Sequence, residues 1–160
     1  MFVTETVRLR PVTLEDAERL FQWRNDSLTR AQSLQQQPVE WQAHLNWLQA
    51  SLQNPDRQLY IAESAALAGQ EQSLILGTVR ADRTDGEYEL SWTVAPEQRG
   101  KGWGRKMVAA LIECLPAGAS YKAVVLLTNP ASHRIAVALA MQVKKHLATQ
   151  TIYVGRKPVL

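Results

Sequence analysis

The sequence predicts a mixed α/β fold, in which a mostly antiparallel sheet carries helices on both faces. Three observations carry that expectation. Before Ala95 the chain is rich in short runs of alternating apolar and polar residues, two of them joined by the hairpin signal Thr84-Asp85-Gly86. After Pro96 and a cluster of glycines, strand and helix patterns alternate instead. Apolar periodicity runs from Val7 to the C-terminus without a repeat, a low-complexity tract or a Gly/Ser linker, so residues 1–160 are expected to form one domain.

In order, Thr6-Val7-Arg8-Leu9-Arg10 alternates as a first strand. Thr13 and Asp16 have the spacing of a capping box, and Leu14, Ala17, Leu20 and Phe21 then recur at helical spacing as far as Arg24. Pro38 suits the first turn of a second helix, in which Trp41, Leu45, Leu48 and Leu52 form one apolar stripe that ends before Asn54-Pro55. Leu59 to Ala62 and Leu74 to Ala81 are expected strands around a small-residue loop, and the hairpin turn leads into a fourth, Glu87 to Val94. Beyond the glycines come a helix from about Gly102 to Leu115, a β-rich run Ala123 to Leu127, a helix from about Ala131 to Met141, and a last strand through Thr151-Ile152-Tyr153-Val154.

Composition narrows the function. A hydrophobic content of 46% and a charged content of 21% are ordinary for a globular chain, and a net charge of +3 is too small to make nucleic acid the default partner. Met1 to Arg10 lacks an apolar core behind a basic start, so no signal peptide is expected. The most apolar stretch, Met107 to Leu115, is too short to span a bilayer and carries Glu113, so no membrane partner is expected either. Cys114 is the only cysteine, which with the missing export signal points to the cytoplasm. Its place beside Met107 and Leu111 on a helix makes it a core residue rather than a nucleophile. Trp23 and Trp41 are likewise expected in the core, and His133 and His146, without ligand-spaced partners, at the surface; no metal is expected. Nothing in the pattern sets an oligomeric state.

The chemistry concentrates in Gln98-Arg99-Gly100-Lys101-Gly102-Trp103-Gly104-Arg105-Lys106, between a strand and a helix. Glycines there let backbone N–H groups approach a ligand, the helix N-terminus favours negative charge, and the cationic side chains attract an anion. The stretch reads as a phosphate cradle, or else as a Gly-rich turn with a solvated basic rim. A Walker A loop is excluded, because no Gly-Lys is followed by Ser or Thr; the dinucleotide fingerprint is excluded, because Arg105 stands where its third glycine belongs.

Arg99-x-x-Gly102-x-Gly104 after Val94-Ala95-Pro96 resembles the acyl-coenzyme-A-binding motif of the GNAT superfamily of N-acetyltransferases. Glu89-Leu90-Ser91-Trp92-Thr93-Val94-Ala95-Pro96 is similar to that family's central strand, and Asn129-Pro130-Ala131-Ser132 to its second cofactor segment. The resemblance implies a GNAT-like acyl-CoA N-acyltransferase fold with acetyl-CoA as co-substrate. It implies that the backbone of Trp92, Thr93 and Val94 pairs with the pantetheine arm, that Arg99, Gly100, Lys101, Gly102, Trp103, Gly104 and Arg105 hold the pyrophosphate, and that Asn129 lies near the thioester. Ser132 is a weaker match, and Asn129-Pro130 also reads as a turn and helix cap.

Forming an amide from a thioester needs an uncharged amine, and hence a base. Alternation places Glu87, Glu89, Ser91 and Thr93 on one strand face and Tyr88, Leu90, Trp92 and Val94 on the other. Glu89 falls where the resemblance implies a general base; as a bare pattern it is also a solvated strand carboxylate. Many family members carry a tyrosine seven residues after the asparagine to protonate the departing thiolate, then a Gly-Phe pair closing the helix. This chain has Ala136, Ala140 and Met141 there, which leaves the acid unassigned and raises the alternative of a degenerate module that binds coenzyme A without turnover.

In the family the early helices form a wall of the acceptor site. Trp23-Arg24-Asn25 with His44-x-x-Trp47 resembles N-acetyltransferases of amino-sugar nucleotides in pseudaminic acid biosynthesis. That likeness implies acceptor contacts from Arg24, Arg30, His44 and Trp47, with aromatic rings stacking on base or sugar and arginines pairing with phosphate. A ribosomal-protein-type N-terminal acetyltransferase, acting on a peptide amine, competes on the same leading helices.

Overall fold

In the computed structural model, which describes residues 6–65 and 73–159, seven strands make one sheet. They are β1 (Val7–Pro11), β2 (Arg57–Ser64), β3 (Ile75–Thr84), β4 (Glu87–Val94), β5 (Ser120–Leu126), β6 (Gln142–His146) and β7 (Gln150–Arg156). The helices are α1 (Ala17–Asn25), α2 (Ser27–Ala31), α3 (Trp41–Gln53), α4 (Trp103–Glu113) and α5 (Pro130–Ala138). The strand order is β1-β2-β3-β4-β5-β7-β6, antiparallel throughout except where β4 meets β5. The mixed, mostly antiparallel sheet between helices is the fold the alternation predicts.

Period-two patterning sorts the sheet's faces. Leu76, Val79, Ala81, Leu90, Ala123 and Val125 bury against Met107, Val108 and Leu111 of α4 and Ala136 of α5. On the other face, Ile61 packs with Val12, Ala17, Leu20, Trp23 and Leu48 under α1 and α3. Full burial of side chains such as Leu48 and Met107 contributes roughly 1.5–3 kcal/mol apiece. Arg10 ties β1 to the start of α1 with two bonds to the buried Asp16 carboxylate at 2.9 and 2.8 Å, while that carboxylate accepts from the Thr13 amide at 3.0 Å.

Several local expectations are corrected. The second helix starts at Trp41, after Glu40 as N-cap, so Pro38 lies outside it. Of its expected stripe, Leu48 is buried and Leu45 packs against the core, but Trp41 and Leu52 are exposed and His44 and Ser51 are buried in their stead. Trp41 is exposed because its ring packs edge-on against Phe21 at 5.1 Å on the outside of the α1–α3 pair. Cys114 is exposed at the C-cap of α4, where the helix turns away from the core that Leu111 and Leu115 enter. His133 is half-buried: its Nε2–H donates to the Leu126 carbonyl at 3.0 Å, so Nδ1 accepts from the Tyr153 hydroxyl at 2.7 Å. Short α2 and the exposed edge strand β6 carry too little periodicity to be seen in sequence, and α5 stops at Ala138. The expected small-residue loop falls largely within residues 66–72, outside the described residues. Among the described residues no helix is long and apolar enough to cross a membrane, and no group of His, Cys, Asp and Glu is arranged to hold a metal.

Candidate active site

The site begins where the sheet parts. β4 pairs with β5 only from Glu87–Ser120 to Leu90–Ala123, yet β4 stays on β3 to Val94 and β5 stays on β7 to Leu126. Each strand therefore follows its own outer partner, and the edge of β4 from Ser91 to Val94 faces β5 without a ladder. Unpaired strand edges present N–H and C=O groups that an extended ligand can meet.

On the α4 side of this opening lies a cleft of about 560 Å³, lined by Trp92, Thr93, Val94, the loop from Gln98 to Gly100, the first turn of α4, and Asn129. Gly100 and Gly102 hold φ of +76° and +80°, and a Cβ on either would meet nothing within 4 Å, so the loop lies bare toward the cleft. Gly102 caps α4 without a side-chain bond, which leaves the first helical amides without a capping partner. Such amides with the helix dipole favour an anion. Gly104 has a different task. A Cβ there would lie 2.6 Å from Ile135 Cδ1 and 3.3 Å from Val94 Cγ2, so its absence leaves room for the Ile135 side chain of α5 against the first turn of α4.

The cationic side chains of the loop behave unlike one another. Arg99 reaches back to α2, pairing with Asp26 and donating to Thr29 Oγ1 at 3.0 Å. The Arg99 hydrogen bond holds the Asp26 carboxyl below its ordinary value. Lys101 approaches Gln98 Oε1 at 3.4 Å, Arg105 is exposed, and Lys106 lies 5.0 Å from the ring of the buried Trp103. With the Arg99 side chain engaged and the Trp103 ring buried, these two residues have their backbone to offer a ligand beside the bare glycines and the exposed Arg105.

Across the sheet lies a basin of about 490 Å³, bounded by α1, α3, the segment after α2, and the polar face of β3 and β4. Glu89, Ser91 and Thr93 line it, as alternation expects; Glu89 is 42% exposed and 3.9 Å from Lys122 Nζ on β5. Glu87 is on the same face, 3.8 Å from the same lysine, but outside the basin lining. Cleft and basin share Thr29, Gln32, Ser33, Trp92, Thr93, Asn129 and Ser132, so they join through the parting between β4 and β5.

At that junction a small network fixes three side chains. Asn129 caps α5, its Oδ1 accepting from the Ser132 amide at 3.2 Å and its Nδ2–H donating to Ser132 Oγ at 3.0 Å. Trp92 Nε1–H donates to the same oxygen at 3.1 Å. With both lone pairs of Ser132 Oγ engaged, its hydroxyl hydrogen is the group free to donate.

The four acceptor residues expected from sequence divide. Arg24 and Trp47 line the basin, with the guanidinium 4.7 Å from the ring centroid. His44 is fully buried between α1 and α3: Nε2–H donates to the Ala17 carbonyl at 2.8 Å, so Nδ1 accepts from Arg24 at 3.4 Å. Burial, and then the Arg24 charge, push its pKa down, against the pull of the Ala17 bond. His44 orients Arg24 and does not face the basin. Arg30 donates to the carbonyls of Asn25 and Gln36 at 3.2 and 3.5 Å and is not part of the lining. Arg57 and Arg80, which sequence reading passed over, do line the basin. The alternation Thr78-Arg80-Asp82, opposite Ser91 and Glu89, was the signal for Arg80.

A family model described as acetyltransferase (GNAT) domain matches residues 6–142. No curated protein sequence matches the chain. Among solved structures, a domain from Methanocaldococcus jannaschii is 21% identical, with a TM-score of 0.81 over 96% of this chain and 99% of its own. Spermidine N-acetyltransferase from Vibrio cholerae, solved with CoA and spermine, is 15% identical, with a TM-score of 0.83 over 95% and 96%. A ribosomal L7/L12 alpha-N-protein acetyltransferase in complex with coenzyme A is 13% identical, with a TM-score of 0.76 over 99% and 98%. At these identities the likeness establishes a shared fold.

Proposed function

The chain belongs to the GNAT acetyltransferase family, and from that premise we propose that it transfers the acetyl group of acetyl-CoA directly to a primary amine held in the basin. The observation that carries this reading is the parting of β4 from β5, which joins a bare helix N-terminus on one side of the sheet to a carboxylate-bearing basin on the other. Acetyl-CoA supplies an activated acyl group and a thiol leaving group. The residues fit it: the amides from Gly100 to Arg105 would take the pyrophosphate, the free edge of Trp92, Thr93 and Val94 would take the pantetheine arm, and Asn129 would lie near the thioester.

Glu89 accepts the proton of the acceptor ammonium, directly or through water, since its half-exposed carboxylate faces the basin. Ser132 takes the part of the missing tyrosine. Its oxygen already accepts two hydrogen bonds, so its O–H is free to donate to a further acceptor; we assign the departing sulfur to that place, with any proton passed to the sulfur restored to Ser132 from water in the joined cavities. Ala136 is fully buried in the core and contributes nothing there.

The acceptor is a primary amine. Its finer identity as a nucleotide-linked amino sugar draws support from Arg24 and Trp47, and none from Arg30 or His44, whose groups are engaged elsewhere. Calorimetry with acetyl-CoA tests the first step, and absence of binding at millimolar concentration would sink the proposal. Thiol release is then followed with a UDP-linked 4-amino sugar and with peptides beginning in Ala or Ser. Faster transfer to the sugar is expected; faster transfer to the peptides assigns the protein N-terminal reading. Tight cofactor binding with no transfer to any amine identifies a degenerate module.

A further inference from the structure

We infer that the basin contains an anion subsite, formed by the guanidinium groups of Arg24 and Arg80 beside the Trp47 ring, and that the acceptor is an amine bearing a carboxylate or phosphate at its far end. The inference deepens the acetyl-transfer reading and rests on it.

Three arginines from three elements converge on one ring. Arg24 of α1 lies 4.7 Å from the Trp47 centroid, and Arg57 of β2 and Arg80 of β3 each lie 5.9 Å from it. Compensation is unequal. Arg57 holds Asp82 through two bonds at 2.7 and 3.3 Å and donates to Ser51 at 2.8 Å, so it is satisfied. Arg80 Nε is 3.2 Å from the same carboxylate but misaligned, which leaves that buried N–H without a hydrogen bond. No terminal nitrogen of Arg80 donates to any described residue, and Arg24 has His44 as its hydrogen-bond partner and no carboxylate within ion-pair distance among the described residues. Burial pushes the pKa of both down; the Arg80 charge lowers Arg24 further, while Asp82 and Glu89 offset part of the shift on Arg80. Two like charges are thus held together, with open donor forks toward a cavity. A planar or tetrahedral oxyanion satisfies that arrangement with charge-assisted, bidentate bonds.

The register fixes the ligand's span. Asp82 faces Glu89 and Arg80 faces Ser91, so Arg80 and Glu89 are diagonal neighbours on one sheet face. Diagonal pairs lie about 7–8 Å apart, which lets an amine at Glu89 and an anion at Arg80 belong to one small molecule separated by a few bonds. A diamine of that length would bring its second ammonium against the two guanidinium groups.

Initial rates of CoA release with matched amines test this: 4-aminobutyrate, 3-aminopropyl phosphate, 4-amino-1-butanol and putrescine. We expect kcat/KM for at least one of the two anionic amines to exceed that of the alcohol by about tenfold and that of putrescine by more, since a hydrogen-bonded charge pair carries about that factor; the carboxylate and phosphate arms identify the group preferred. Arg80→Gln and Arg24→Gln should raise KM for the preferred anion about tenfold or more, change kcat less, and weaken transfer to the alcohol by a much smaller factor than transfer to the anion. Equal or faster transfer to putrescine, or the same penalty on the alcohol, overturns the subsite. Should a variant fail to fold, the wild-type order of the four amines decides. Calorimetry of the CoA-loaded protein, its glycine cradle filled, with 3-aminopropyl phosphate and 4-aminobutyrate separates the two readings. Binding lost in Arg80→Gln without any turnover retains the subsite and removes the acetyl transfer; turnover of the alcohol or diamine with no anion binding does the reverse.

Discussion

Replacing Ser132 by Ala tests the proposed proton donor with two independent magnitudes. The change removes the oxygen that accepts from Trp92 Nε1 at 3.1 Å and from Asn129 Nδ2 at 3.0 Å. A fully buried donor left unsatisfied costs about 1–3 kcal/mol. Here Trp92, Asn129 and Ser132 all border both cavities, so water can replace the lost acceptor and the lower end applies. Stability should therefore fall by about 1 kcal/mol, a drop in Tm of about 2–4 °C for a chain of this length. The kinetic effect is separate. General acid catalysis is worth about 10²–10⁴, but a thiol, a much stronger acid than an alcohol, needs less help in departing. We expect kcat at pH 7 to fall about tenfold, with acetyl-CoA affinity changed little. The deficit should shrink as the pH is raised toward the thiol's own pKa, where sulfur increasingly departs as thiolate without a proton. Stopped-flow detection of free thiol between pH 6.5 and 9.5, beside thermal unfolding of both proteins, supplies the readouts. A kcat ratio of one, or a deficit constant across that range, would refute the reasoning and return Ser132 to a purely structural place in the α5 cap.

Glu89→Gln should lower the rate most at low pH, where free amine is scarcest, and leave acetyl-CoA affinity nearly unchanged in calorimetry; equal activity at every pH would free Glu89 of the base assignment. His44 links stability to pH. Because its folded-state pKa is depressed, its contribution is complete above the unfolded value of about 6.5 and is lost as the pH falls through the lower folded value. Urea midpoints of the native protein should thus drop between pH 7.5 and 5 by more than those of His44→Gln, and parallel slopes would contradict the buried neutral ring. Ala140 sits at φ +60° in the turn that ends α5, where Met141 N–H bonds the Ala136 carbonyl and Ala140 N–H the Val137 carbonyl, each at 3.0 Å. Left-handed backbone costs a residue with a Cβ about 1–2 kcal/mol, and glycine forfeits about 0.5–1 in chain entropy, so Ala140→Gly should stabilise by roughly 0.5–1 kcal/mol; an unchanged or lower urea midpoint would contradict it.

Local signals determined the parts of this protein whose cause is local. Alternation alone separated Glu89, Ser91 and Thr93 from Leu90 and Tyr88, because successive side chains of a strand must point to opposite faces. The glycines at 100 and 102 marked a bare turn before a helix, because few other residues tolerate positive φ. The early arginines and aromatics were visible as a cluster, but their division was not. Arg99 meets Asp26, 73 positions away, and His44 turns inward because α3 docks on α1 one position round from its apolar stripe. Arg80 enters the basin only because β3 pairs with β4 in a register that sets it diagonal to Glu89 and beneath Trp47. The parting of β4 from β5 has no residue signature at all, since it arises from each strand keeping faith with its outer neighbour. Periodicity records which side of an element is apolar; which charges then lie free, and which are matched across the fold, follows from contacts between segments far apart in the chain, and those exist only once the sheet has closed under its helices.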